Sequence, residues 1–87
     1  MSVRIAGSTI HVEGNGLVED AEPILVALQA DPKRIVDLSR AAKLHSATIR
    51  LLLALRPRIV GAPSDPFQAE HVAPLLISNG DGPVPFG

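Results

Sequence analysis

The chain has no cysteine, no tryptophan and no tyrosine, and only two phenylalanines among its 87 residues. Without a thiol there is no disulfide to staple the fold and no thiolate to hold zinc, which points to a reducing, cytoplasmic setting. Without aromatic rings, unstacked bases have little to rest on, so single-strand nucleic-acid binding loses its usual platform. The core has to be aliphatic. No unbroken apolar run is longer than that from Leu51 to Leu55, far short of the ~20 residues that cross a bilayer. The first residues show no charged-then-apolar leader, so neither membrane insertion nor export is expected. A large net charge is absent too, with eight Lys and Arg against nine Asp and Glu.

What is present is one domain's worth of apolar residue, 46% of the chain. A domain this small buries only roughly 60–65% of its unfolded surface, so its stability margin is thin. The charge is segregated: residues 1–32 carry a net −4, residues 33–58 a net +6 and residues 59–87 a net −3. An electropositive middle attracts an acidic partner or a phosphate, although such a stretch also serves simply as a solvated face.

Val3–Ala6 and Thr9–Val12 alternate in character around Gly7-Ser8, the signature of a hairpin whose first turn residue takes positive φ. Apolar residues at 18, 21, 24, 25 and 28 predict a helix from about Leu17 to Ala30, with Asp20 as N-cap and Asp31-Pro32 as its stop. Arg34–Leu38 reads as a central strand and Arg40–Leu44 as a connection. Ser46 then caps a second helix running to about Arg56, where Pro57 forbids continuation. Arg58–Gly61 reads as a further strand. Asp65-Pro66 opens a third helix that lasts until Ala73-Pro74, and Leu75-Leu76-Ile77 gives at most one short strand. The Gly- and Pro-rich stretch 78–87 is expected to be a flexible tail beyond a domain of residues 1–77. The order β-β-α-β-α-β-α implies an α/β domain with a mixed sheet, its helices on one or both faces.

The run Ile35-Val36-Asp37-Leu38-Ser39, followed by Leu44-His45-Ser46-Ala47-Thr48-Ile49-Arg50-Leu51-Leu52-Leu53, resembles the STAS family. That family is shared by anti-sigma-factor antagonists and the cytosolic ends of sulfate transporters. In it a strand ends near Asp-Leu-Ser and a helix opens at Asp-Ser-Ser/Thr-Gly. The resemblance spans roughly residues 3–76, with only the middle segment specific. It implies a STAS-like fold, and it places Ser46 where the antagonists carry the serine that a partner kinase phosphorylates. Arg40, Lys43, His45, Ser46, Thr48 and Arg50 then form the partner-binding surface. His45 stands where the family has an acid, and Thr48 where it has glycine.

A helix N-terminus favours negative charge on general grounds. Ser46 is also explained as a cap worth about 1 kcal/mol. His45 reads as a loop histidine, and adjacent residues do not supply the third group that a Ser-His nucleophile needs. His11, His45 and His71 are too scattered for a metal motif, Gly14-Asn15-Gly16 is a turn, and Glu19, Asp20 and Glu22 suit a helix start. No enzyme, cofactor, metal or nucleic-acid role is expected. The partner implied is a serine kinase or anti-sigma-type regulator. The alternative is a constitutive subunit bound to the ATPase of a bacterial lipid-transport ABC system, and a homodimer through the first strand is a further possibility.

Overall fold

The computed structural model describes residues 2–80, with side chains from Val3 to Ile77. The hairpin pairs β1 (Ser2–Ala6) with β2 (Thr9–Asn15), Ala6 facing Thr9 across the two-residue loop. Gly7 has φ 60° while Ser8 stays at negative φ, so the turn bends with the twist of its strands and needs glycine first. A 3₁₀ turn, Val18–Asp20, leads into α1 (Ala21–Ala30). Asp20 caps differently from expectation: its Oδ2 accepts the Leu17 N–H at 2.6 Å, turning back toward the strand rather than forward into the helix.

The strand β3 covers Ile35–Lys43, α2 Ser46–Leu55 and β4 Arg58–Val60. The segment Arg40–Lys43, expected as a connection, is therefore strand, and only Leu44 and His45 join β3 to α2. The third helical segment passes through a π-helical turn, Gln68–Val72, before α3 (Ala73–Gly80). Two expectations are corrected here. Leu75–Ile77 is helical, and Pro74 does not end the helix. Proline lacks an N–H and crowds the carbonyl four residues back; a wider turn, in which Ala73 N–H reaches Gln68 O five residues back, directly precedes it. Of the expected tail, Ser78–Gly80 lie in α3 and residues 81–87 lie outside the described residues.

The sheet order is β1-β2-β3-β4, antiparallel in the hairpin and parallel thereafter. This is a small α/β domain with a mixed four-stranded sheet. Alternation assigns each strand residue a face. Ile10, Val12, Val36, Leu38, Ala41 and Ile59 are buried, and they form one core with Ile24 and Leu28 of α1, Leu52 of α2 and Leu76 of α3. All three helices therefore cover the same face. The other face carries His11, Glu13 and Asp37, and no helix among the described residues covers it.

Candidate functional site

The three parallel strands finish at the same end of the sheet, where the 3₁₀ turn, α2 and the π-helical turn begin. In open α/β sheets this carboxyl edge is where binding sites gather, because the chain reverses there and helix N-termini point outward. Ser46 is the first residue of α2 and is exposed. The cap is His45, not Ser46: in extended backbone at φ −72°, ψ 149°, its Nδ1 accepts the Ala47 N–H at 3.0 Å, which leaves the ring proton on Nε2. The serine hydroxyl is thus not needed for capping.

The two-residue turn before Ser46 is held from both sides. On one side Gly16 N–H donates to Lys43 O, and a Cβ on Gly16 would stand 2.6 Å from His45 N, so only glycine permits the approach. On the other side the buried Gln68 amide clasps Leu44: its Oε1 accepts the Leu44 N–H at 2.7 Å and its Nε2 donates to Leu44 O at 2.9 Å. Both main-chain groups of a buried residue are satisfied by one side chain. Gln68 is itself set by Asp65, whose Oδ2 accepts the Gln68 N–H at 3.1 Å. The chain before it adds to β3, with Ser64 N–H on Ala41 O at 2.9 Å and Asp65 N–H on Ala42 O at 2.8 Å.

The six expected partner-binding residues do not stay together. His45 lies in the turn, Ser46 opens α2, and Arg50 lies exposed one turn further along, the i+4 neighbour of Ser46. Lys43 is exposed at the end of β3, and neither Lys43 nor Arg50 is in an ion pair among the described residues. Thr48 is 1% exposed, so it is not presented to a partner; its Oγ1 is buried without a hydrogen-bond partner. Arg40 is displaced to the open face of the sheet, where its Nη1 lies 4.0 Å from Glu13 Oε2.

Several residues at this edge were not apparent from sequence. Leu17, Val18 and Phe67 are exposed apolar side chains on either side of the α2 N-terminus, Phe67 at 66%, with its ring centroid 4.9 Å from that of His71. The 3₁₀ turn packs against α2 on one side, and Gln68, next to Phe67, reaches Leu44 on the other. The role of Gln68 had a legible signal, since Asp65-x-x-Gln68 has the spacing of a capping box.

The open face holds a second polar group. Arg4 Nη2 meets Glu13 Oε2 at 3.1 Å, and His11 Nδ1 donates to Asp37 Oδ2 at 3.1 Å across adjacent strands. Hydrogen bonding from Arg4 holds the Glu13 carboxyl below its usual range. The Ser39 backbone N–H, then the Ser39 hydroxyl, do the same for Asp37, with His11 contributing less. A shallow groove of about 240 Å³ at the far ends of α1 and α2 is lined by Leu28, Gln29, Pro32, Leu55 and Pro57 and carries no titratable group. Among the described residues no cluster of three or more His, Cys, Asp or Glu is arranged to hold a metal, and no helix is long and apolar enough to cross a membrane. No family model matches the chain, and neither a curated protein nor a solved structure matches it.

Proposed function

We propose that the protein is a regulatory interaction module, similar in kind to anti-sigma-factor antagonists, that docks through the carboxyl edge of its parallel strands and is switched at Ser46. The observation that carries this reading is the exposed Ser46, set at the start of α2 behind a turn fixed from two sides by Gly16 and Gln68. A hydroxyl that a kinase must reach and a partner must read benefits from being accessible and held in one place. Exposed apolar residues beside it, Leu17, Val18 and Phe67, supply the contact surface that a protein partner needs. A phosphate there adds about −1.5 to −2 charges at a helix N-terminus, favourable for the helix and repulsive to an acidic partner. The partner is then a serine kinase or an anti-sigma-type regulator, and the module itself catalyses nothing.

The test is the intact mass of the protein isolated from its own cells, set beside Ser46→Ala. A single phosphate adduct present in the wild type and absent in Ser46→Ala, with unchanged thermal unfolding, supports the switch. A wild-type protein that never carries the adduct, under conditions where its partner both binds and releases it, sinks it.

The second reading is a constitutive subunit of a larger assembly, such as a bacterial lipid-transport ABC system. His45 favours it: an imidazole caps α2 where the antagonists carry an acid. Stable co-purification with an ABC ATPase subunit, indifferent to Ser46→Ala and Ser46→Asp, would select this reading.

A further inference from the structure

The two edges of the sheet are protected very differently. The edge strand β4 has three residues, lies between Pro57 and Gly61, and packs against α3. The chain after it turns back to bond β3 through Ser64 and Asp65. The edge strand β1 has five residues, keeps an unbroken register with β2, and contains no proline and no bulge. Its one charged residue, Arg4, is drawn inward to Glu13 at 3.1 Å. β1 thus lacks the proline and the bulge that commonly blunt a sheet edge, and among the described residues no strand pairs with its outer side.

The hairpin register decides which main-chain groups face outward. Ala6 and Thr9 flank a two-residue turn and form a hydrogen-bonded pair, so Arg4 with His11 and Ser2 with Glu13 are also hydrogen-bonded pairs. The residues between them, Val3 and Ile5, therefore turn their N–H and C=O groups away from β2. The same two residues point their side chains to the helix-covered side, because they face Val12 and Ile10 of the core. Ile5 is nonetheless 48% exposed, and Val3 is only partly buried.

We infer that β1 is a self-association edge whose occupant is β1 of a second copy, paired antiparallel about a two-fold axis, with Val3 of one copy opposite Ile5 of the other. This register brings all the outward-facing groups of Val3 and Ile5 into reciprocal hydrogen bonds. It also places Val3 against Ile5 on the apolar side, the kind of cross-strand pair that stabilises sheets. The two-fold closes after one step, unlike a β1-to-β4 contact, which would propagate. Arg4 faces its counterpart on the open side, and each is already neutralised by its own Glu13. The two sheets become one, with the helices of both copies on the same side. A contact through strands this short buries less than a standard interface, so the association is weak. It does not depend on Ser46.

Sedimentation equilibrium from about 10 μM to about 1 mM reads the association constant directly. The expected result is a monomer–dimer equilibrium that Ile5→Pro weakens at least about tenfold, since proline removes an outward N–H while sparing the bonds to β2. Ile5→Lys, which leaves the backbone unchanged, is expected to weaken it likewise and decides the matter if the proline variant fails to fold. Amide exchange at Val3 and Ile5 should slow as concentration rises. A wild type that stays monomeric at about 1 mM overturns the inference. So does a dimer that both variants leave intact, or one in which the Val3 and Ile5 amides gain no protection.

Discussion

The two faces of the sheet are built from neighbouring residues of the same strands and do different work. On the covered face Ile10, Val12, Val36 and Leu38 are fully buried beneath three helices. On the open face His11, Glu13 and Asp37 alternate with them; Glu13 is paired with Arg4 and Arg40, and His11 with Asp37. The covered face supplies most of the free energy of folding, because apolar burial is the dominant favourable term and partly exposed pairs contribute little. The open face contributes a dependence on pH and salt. Adjacent residues make the sharpest comparison. Leu38→Ala should lose about 3 kcal/mol, a large share of what an 87-residue domain has in total, through lost transfer energy and the cavity left behind. Asp37→Ala, one residue earlier, should lose only about 1 kcal/mol with its bonds to Ser39 and His11. Denaturant unfolding of both variants checks this, and equal losses would end the division of labour.

The covered face has one flaw that can be used to probe it. Thr48 lies in the core with its Oγ1 unpaired, and a buried hydroxyl without a partner costs stability that a methyl of similar shape does not. Thr48→Val should therefore stabilise the protein by about 1 kcal/mol and raise Tm by roughly 4–8 °C. A loss of stability would show that the hydroxyl finds a partner in solution, and the covered face would then be less uniformly apolar than its burial implies.

The same contrast explains what the sequence revealed and what it hid. The α/β class, the mixed sheet and the hairpin were legible because period-two and helical periodicities are local, and Gly7-Ser8 carries its own turn chemistry. The length of β3 was not. Between the pairs His11 with Asp37 and Glu13 with Arg40, β3 spends one residue more than β2, so Ser39 and Arg40 are both exposed and the alternation breaks inside the strand. Past that extra residue the strand presents Arg40 to Glu13 on the open face. Helix α3 was hidden for a similar reason. Leu75–Ile77 is too short a run to tell helix from strand, and the π-helical turn beside Pro74 depends on a bond five residues back that no local pattern announces. Ser46 was legible as a helix start, but the residues that hold it, Gly16 and Gln68, are 30 residues before and 22 after it and meet only in the folded chain.

The smallest effects belong to the open face, and they are separable by acid. Both Glu13 and Asp37 titrate below their ordinary values of 4.5 and 3.8 in the folded protein. As pH falls past those values the unfolded chain takes up protons first, so the native state loses an advantage that is fully present at neutral pH and is gone below the folded values. Tm should therefore hold steady from pH 7 to about 5 and then decline. The cause of each shift predicts which variant changes the decline. Arg4 is the main reason Glu13 is depressed, through a direct hydrogen bond at 3.1 Å, whereas Arg40 acts at 4.0 Å from a side chain that is 75% exposed. Arg4→Ala should flatten the acid decline, because Glu13 then titrates nearer to its unfolded value. Arg40→Ala should leave both the decline and the neutral-pH Tm within about 2 °C of wild type. Thermal melts followed by circular dichroism across this range measure both. If Arg40→Ala proved the more disruptive variant, the bulge that turns Arg40 onto the open face would be holding a structural charge, and the open face would share in stability after all.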